Sequence, residues 1–295
     1  MIQRTRGEKI FSIFNYIFLS LFALSTLYPF LYTFNMSIST EAAAAQEGLH
    51  ILPNFSMLTI DPYVMVFKNP SIWNAYKYTL FRAICGTCLT LIVTCFYGYA
   101  LSRPRIPFKK FFTLYIMITM LFGAGQIPVY LNLKSLGLLN NILVYILPGT
   151  IAAYNTLIAK SFFASLPESL NESAKIDGAG ELRIFFQIIV PLSKPIIMTL
   201  ALWEVVKHWN AWLDSVLYMN DSRKIVVQHY IQRIINEGQT NLITDSAVSE
   251  GSEISVTGET IKAASIIVAT APILAAYPFI QKYFVTGVTL GAVKG

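Results

Sequence analysis

Six residues that could bind or orient a polar solute lie within one eleven-residue stretch of an otherwise apolar segment. They are Glu204, Lys207, Trp209, Asn210, Trp212 and Asp214. Glu204 and Lys207 are three residues apart, so on a helix their opposite charges can neutralise each other. Aromatic rings beside amide and carboxylate groups suit a sugar, whose C–H faces pack on rings while its hydroxyls need donors and acceptors. The alternative is an interfacial belt in which the two tryptophans anchor a helix at the lipid headgroups.

Two more cations, Lys77 and Arg82, interrupt a second apolar segment. An ionisable residue inside a membrane is costly, and by default it is a functional candidate that faces the interior of the bundle. The alternative is that each side chain extends to the outer headgroups while its stem stays in hydrocarbon. Together with Lys207, these cations lead to the hypothesis that the solute is an anionic, uronate-containing oligosaccharide.

The composition indicates that the elements holding these residues are membrane helices. Of 295 residues, 55% are hydrophobic and only 13% are charged, and the mean hydropathy is +0.55. A soluble domain averages about 25% charged residues, so most soluble enzyme classes are excluded. The net charge of +6 is dispersed, and no nucleic-acid partner is expected. Three cysteines within one apolar segment suit neither a disulfide framework nor a zinc site, so no metal is expected.

The apolar segments predict six transmembrane helices in one all-α domain. Each is long enough for the roughly 20 residues that cross a bilayer. The predicted spans are Phe11–Met36, Ser71–Ser102, Phe111–Leu133, Ser135–Ala159, Pro195–Asn220 and Ala263–Ile280. The break between the third and fourth is predicted from Gly123, Gly125, Pro128 and the stretch KSLGLLNN.

The distribution of basic residues predicts that both termini are cytoplasmic. With this orientation 13 Lys and Arg lie on the inside and 6 on the outside, as membrane proteins prefer. The predicted organisation is a cytoplasmic N-terminus at 1–10, a six-helix domain at 11–285 and a cytoplasmic tail at 286–295. A cleaved secretory signal is a rival interpretation of the N-terminus, but its apolar run is about twice the usual length.

The predicted cytoplasmic segment between helices 4 and 5 is far longer than a simple connection requires. Ser165 and Glu168 match a capping box that would begin a short helix. Gly178 and Gly180 would then permit a left-handed exit, and the stretch ELRIFFQIIV would form a second short helix. We call residues 165–195 the elbow. It is either a hairpin that braces the bundle or a docking knob whose anchors include Phe185 and Phe186.

The elbow sequence ESAKIDGAGELRIFFQIIVPLSKP resembles the EAA loop of ABC-importer permeases. The matching positions are Glu172, Ala174, Asp177, Gly178, Ala179, Phe185, Ile189, Pro191 and Pro195. Ser173 and Val190 depart from the pattern only slightly. The stretches LNLKSLGLLNNILVYILPG, VVKHWNAWLDSVLY and QKYFVTGVTLGAVKG are similar to MalG-type permeases of carbohydrate importers, so the resemblance covers most of the chain.

The resemblance implies a type I ABC-importer permease fold in the cell membrane and a defined set of partners. These are a second, MalF-type permease, a dimer of ATPase subunits, an extracellular solute-binding protein and an oligosaccharide. It implies that Glu172, Ala174, Asp177, Gly178, Ala179 and Phe185 couple the elbow to the ATPase, and that the segment 291–295 extends toward the ATPase interface. ATP and Mg²⁺ would bind the partner, since this chain has no Gly-x-x-x-x-Gly-Lys-Ser/Thr loop.

Two other classes of membrane protein are less consistent with the sequence. A secondary transporter or channel would need its own ion relay and often repeats its broken helices in two halves. The acids of predicted helix 5 have no counterpart in helices 1–3. In a secondary transporter or channel, the elbow would also be unexplained. A membrane-embedded enzyme would need a paired His and carboxylate or a nucleophile set, which is not visible. We therefore expect no enzymatic activity and no bound cofactor in this chain.

Overall fold

The computed structural model describes residues 6–46, 54–236 and 258–292, and these residues form helices joined by short loops. The first helices are α1 (Arg6–Ser37), α2 (Glu41–Ala44), α3 (Asp61–Lys68), α4 (Pro70–Phe81), a π-helical turn (Arg82–Gly86), α5 (Thr87–Ser102), α6 (Lys109–Leu121) and α7 (Gln126–Ser135). Two 3-10 turns (Ile142–Tyr145, Leu147–Gly149), α8 (Ala153–Ser165), α9 (Ser169–Ile176) and α10 (Glu181–Ile184) follow. Next come a second π-helical turn (Phe185–Ile189), α11 (Val190–Leu192), α12 (Lys194–Asn210), α13 (Leu213–Tyr218), a 3-10 turn (Ser222–Lys224), α14 (Val227–Asn236) and α15 (Gly258–Ala292). The predicted all-α class is confirmed.

The chain divides into two compact units, residues 1–72 with 231–271 and residues 73–230 with 272–295. In the first unit, α1 has no buried side chain from Gly7 to Phe34. A helix that is apolar on all sides and uncovered needs lipid or a partner around it. Past α1 the backbone of Thr59 donates to Ile38 O at 2.9 Å, and the Ser37 hydroxyl lies 2.7 Å from the Tyr63 hydroxyl. These bonds tie the end of α1 to the segment that enters α3.

Among the residues that the structure describes, three helices are long and apolar enough to cross a membrane, at 7–37, 70–102 and 258–275. Three further pairs of helices reach the required length only if each bent pair is one span. They are α6 with α7, bent by 114°, the 3-10 turns with α8, bent by 47°, and the segment 181–192 with α12, bent by 81°. The count is compatible with six spans, which stays a prediction.

The predicted third and fourth spans were each expected to be one helix, but both are bent and broken. The third breaks between α6 and α7, where Gly125 has a φ of +78°, a conformation that side chains with a Cβ rarely adopt. Pro128 lies in the first turn of α7, where its missing N–H costs little. The fourth becomes helical in stages, with Pro148 and Gly149 in the second 3-10 turn that precedes α8.

The helix of the predicted fifth span is also interrupted. The structure ends α12 at Asn210 and resumes with α13 at Leu213, so residues 211–212 interrupt the expected Pro195–Asn220 helix. This break leaves backbone groups without helical partners, and such groups must be satisfied by other atoms when they are buried. One of them, Ala211 O, accepts a hydrogen bond from Arg82 at 3.0 Å.

Helices α5 and α8 pack closely because a glycine lies at their contact. A Cβ on Gly98 would lie 2.9 Å from the Cβ of Ala159, which is fully buried. Gly86 is similar, since its Cβ would lie 2.6 Å from the His208 ring. Small residues at helix crossings allow the backbones to approach, as is common in membrane bundles.

Candidate functional site

The elbow has the predicted two-helix form, but it does not begin as predicted. The capping-box prediction is wrong, because Ser165 is the last residue of α8 and its hydroxyl donates to Phe162 O at 2.7 Å. Residue Glu168 precedes α9 and makes no side-chain cap. Of the two glycines that would permit a left-handed exit, Gly180 does not make it, since its φ is −75°.

Gly178 does make the predicted left-handed exit, with a φ of +77°. Its N–H donates to Lys175 O at 3.0 Å, and the N–H of Ala179 donates to Ala174 O at 2.9 Å. This pair of bonds is the Schellman motif, which satisfies the last carbonyls of a helix and usually requires glycine. The turn between α9 and α10 is therefore fixed by hydrogen bonds within the chain.

The inner side of the elbow is packed against α5. Phe185 is only 2% exposed, and its ring lies 4.7 Å from that of Phe96 and 5.0 Å from that of Tyr99, between centroids. Ala174 belongs to the same buried cluster. The expectation that Phe185 is a docking anchor is therefore wrong: its side chain is inside this chain, where it attaches the elbow to a membrane helix.

The outer side of the elbow is uncovered. Glu172, Asp177 and Gly178 are exposed, as is Phe186 at 57%. Two apolar side chains beside them, Ile176 and Leu182, are 86% and 66% exposed. An apolar tip ringed by charge is the usual composition of a protein-binding surface. Sequence reasoning missed Ile176 and Leu182, although Ile176 directly precedes Asp177 in the motif.

Polar contacts add to the attachment of the elbow to α5. The Tyr99 hydroxyl donates to Glu181 Oε2 at 2.9 Å, and Lys175 Nζ lies 2.6 Å from Glu181 Oε1. The hydrogen bond from Lys175, with that from Tyr99, holds the pKa of the Glu181 carboxyl below its usual range. The Arg103 guanidinium lies 4.3 Å from the Tyr99 ring centroid. The carboxylate of Glu181 thus links α9, α10 and α5.

Two of the predicted pathway residues, Arg82 and Asp214, lie in a closed cluster, and Arg82 is only 4% exposed. Its guanidinium donates to both carboxylate oxygens of Asp214, and its Nε lies 3.4 Å from His208 Nδ1. The ring of Tyr145 lies 5.2 Å from the guanidinium carbon. We call Arg82, Asp214, His208 and Tyr145 the arginine cluster. It joins the π-helical turn at 82–86 to the break between α12 and α13.

The predicted neutralisation of Glu204 by Lys207 is confirmed, with Lys207 Nζ 2.9 Å from Glu204 Oε2. The other carboxylate oxygen accepts from Asn155 Nδ2 at 2.7 Å. Glu204 is 2% exposed, whereas the Lys207 side chain is 51% exposed. The pair therefore has a buried acid and an accessible base.

The remaining predicted pathway residues are not gathered into one site. Trp209 is 6% exposed and packs beside Tyr76, so it is not an open platform for a solute. Trp212 is 37% exposed and Asn210 is also exposed. Lys77 is exposed, with its ammonium 6.0 Å from the Tyr78 ring centroid.

The partners of the buried charges were missed by sequence reasoning. Asn155 lies 49 positions before Glu204, and Asp214 lies 132 positions after Arg82. Tyr145 connects the arginine cluster to Ser215, because the two hydroxyls lie 2.8 Å apart. Only the presence of unpaired buried charges could have indicated that such partners exist.

Comparisons with known proteins agree with this architecture. The family model "Binding-protein-dependent transport system inner membrane component" matches residues 1–290. Protein LplC of Bacillus subtilis is 38% identical, over 100% of this chain and 98% of its own length. The polygalacturonan/rhamnogalacturonan transport system permease protein YtcP of the same organism is 37% identical, over 98% and 99%.

A solved structure is similar along almost the whole chain. It is a chain of a bacterial ABC transporter involved in the import of the acidic polysaccharide alginate. The TM-score is 0.90 at 33% sequence identity, and the match covers 96% of this chain and 100% of the other. This chain therefore belongs to the family of binding-protein-dependent transport system inner membrane components, and it is a permease subunit of an ABC importer.

Proposed function

We propose that this permease imports an oligosaccharide by alternating access, driven by a separate ATPase that acts through the elbow. The partners in this proposal are a second permease, two ATPase subunits and an extracellular solute-binding protein. The chain would cross the cell membrane six times with both termini in the cytoplasm. ATP and Mg²⁺ would bind the ATPase subunits. The segment 291–295 would extend toward the ATPase interface, and its residues 293–295 lie outside the described residues.

The observation that carries this proposal is the two-sided construction of the elbow. Phe185 and Glu181 fix its inner side to α5, while Ile176 and Leu182 stand exposed at its tip. A rigid element that is attached to a membrane helix and exposes an apolar tip can transmit a push as rigid-body motion. The charges of Glu172 and Asp177 beside the tip suit cationic groups of a partner.

An acidic oligosaccharide is the substrate that similarity to other permeases favours. YtcP is named for polygalacturonan and rhamnogalacturonan, and the similar solved transporter is described as importing alginate. The three cations of the sequence-based hypothesis support it less than expected. Arg82 is buried in its pair with Asp214, and Lys207 is neutralised by Glu204. Only Lys77 is exposed with no ion pair among the described residues.

Coupling is tested with Glu172→Ala, which removes an exposed carboxylate and leaves the packed side of the elbow intact. ATP-dependent uptake of labelled trigalacturonate into vesicles should be lost, while the permease remains in the membrane complex. The matched control is Glu168→Ala, an exposed carboxylate four residues earlier and outside the motif, which should transport normally. Wild-type uptake by Glu172→Ala would show that this carboxylate does not couple.

The acidic substrate is tested separately with Lys77→Glu, since Lys77 is exposed and its replacement leaves no buried charge unpaired. Uptake of trigalacturonate should fall more than uptake of a neutral trisaccharide. An equal loss for both sugars would contradict a role of Lys77 in selecting acidic substrates.

A secondary transporter is not favoured, because the elbow would then have no partner.

A further inference from the structure

A cavity of about 600 Å³ opens among α5, α6, α8 and α12. Its size lies within the range of small-molecule sites, roughly 300–1,000 Å³. Three tyrosines line it, Tyr97, Tyr115 and Tyr154, together with the polar residues Thr119, Asn155, Glu204 and Lys207. These residues come from four helices that are far apart in sequence, so only Glu204 and Lys207 were indicated by a sequence pattern.

The charged wall of the cavity is held in place by two hydrogen bonds, of which the one from Asn155 is buried. Both carboxylate oxygens of Glu204 accept hydrogen bonds, one from Asn155 and one from Lys207. An ammonium group has three donors, and Glu204 is the one acceptor that the described residues offer to Lys207. Two N–H groups of a half-exposed, fixed lysine therefore remain for an acceptor inside the cavity.

The aromatic wall is also fixed yet accessible. Tyr154 stacks on Trp203 with ring centroids 6.1 Å apart and an interplanar angle of 22°. Even so, Tyr154 and Tyr115 are each 57% exposed. Tyrosine provides a flat apolar face together with a hydroxyl, and this combination suits the C–H face and the hydroxyls of a pyranose ring.

A lipid tail is a poor occupant of this cavity. An ionisable group in contact with hydrocarbon is costly, and such groups face the interior of a bundle or a water-filled space. Lys207 is half exposed on the cavity side, so a cavity filled by lipid would place its ammonium against hydrocarbon. The cavity is accordingly expected to face the aqueous pathway.

We propose that this cavity is a saccharide subsite of the translocation pathway. A pyranose face rests on Tyr154 and Tyr115, and a sugar oxygen accepts from Lys207. Glu204 and Asn155 are positioning residues that hold the ammonium. Because Glu204 neutralises Lys207, the subsite accepts neutral and acidic sugar residues alike, and selection by charge occurs elsewhere. This proposal rests on the proposed import of an oligosaccharide.

The test is the reaction of a cysteine in the cavity with a cationic, membrane-impermeant thiosulfonate. The complete importer is prepared without Cys85, Cys88 and Cys95, and Thr119→Cys is compared with Met117→Cys. These two positions are close in depth but about 160° apart around α6, and Met117 does not line the cavity. Thiolate is the reactive form and apolar surroundings suppress it, so Thr119→Cys should react on the order of tenfold faster.

Protection of the cysteine from the thiosulfonate is measured with trigalacturonate, which is added during turnover with binding protein and ATP. A neutral trisaccharide is tested in the same way. Either sugar that the importer transports should slow the reaction of Thr119→Cys without changing that of Met117→Cys. Equally slow reaction at both positions, or no protection by a transported sugar, would overturn the subsite. Uptake of the same labelled sugars is measured in parallel, so a failure of the subsite is distinguished from a failure of import itself.

Discussion

The elbow exposes its charged side chains, whereas the arginine cluster buries and pairs them. In the elbow, Glu172 and Asp177 are exposed beside an apolar tip, on a turn that is closed by its own backbone. In the arginine cluster, Arg82 is buried and bonds to Asp214, to Ala211 O and to His208. Charges left open indicate a partner outside the chain, whereas charges closed on one another hold the chain's own helices together.

The difference predicts that variants of the arginine cluster damage the protein itself. Removing one partner of a buried ion pair costs about 3–5 kcal/mol, because the other charge is left uncompensated. Arg82→Met should therefore strongly lower the thermal stability of the purified complex. The double variant Arg82→Met, Asp214→Leu should recover most of this loss. A stable single variant would contradict the closed character of the cluster.

Within the elbow, two adjacent phenylalanines separate packing from docking. Phe185 is 2% exposed and Phe186 is 57% exposed. Phe185→Ala empties a packed position and should cost about 3–5 kcal/mol, as buried Phe to Ala changes do. Phe186→Ala should leave thermal stability almost unchanged. Equal melting temperatures for the two variants would show that the elbow is not packed through Phe185.

Two glycines of the elbow form a similar matched pair with a smaller expected effect. Gly178 has a φ of +77°, and no atom in the described part of the chain lies within 4 Å of an added Cβ at either Gly178 or Gly180. Gly178→Ala should therefore cost about 1–2 kcal/mol through backbone strain alone. Gly180→Ala, at an ordinary φ, adds no such strain and should cost less than Gly178→Ala. Protease cleavage of the elbow would rank the two variants, and the reverse order would contradict the Schellman turn.

The smallest effect concerns pH. The pKa of Glu181 is held low by Lys175 and Tyr99 in the folded protein, so its contribution to stability is present above the ordinary pKa of glutamate. This contribution is lost as the pH falls through the lowered value, and for a half-exposed pair it should not exceed about 1 kcal/mol. Glu181→Gln should flatten the acid side of a plot of melting temperature against pH. An unchanged acid limb would mean that the contact does not stabilise the elbow.

The sequence predicted local features well and distant pairings poorly. Helical segments, the exit at Gly178 and the pairing of Glu204 with Lys207 depend on neighbours a few residues away. The capping box at Ser165 failed because this hydroxyl satisfies the carbonyl of its own helix instead. The break at 211–212 and the partners of Arg82 could not be predicted, because they depend on contacts across more than 120 residues. The inward position of Phe185 could not be predicted either, because it depends on contacts with Phe96 and Tyr99, which are distant in sequence.

The central claim is that the tip of the elbow contacts the ATPase on the cytoplasmic side. The most direct measurement places a photoreactive side chain at Ile176 in the complete importer and identifies what it captures in membranes. The control position is Leu136, which is 63% exposed and lies at the predicted external end of the fourth span. Position 176 should cross-link to the ATPase subunit, and position 136 should not. Capture of lipid alone at position 176, or labelling of it from outside the cell, would show that the tip does not contact the ATPase.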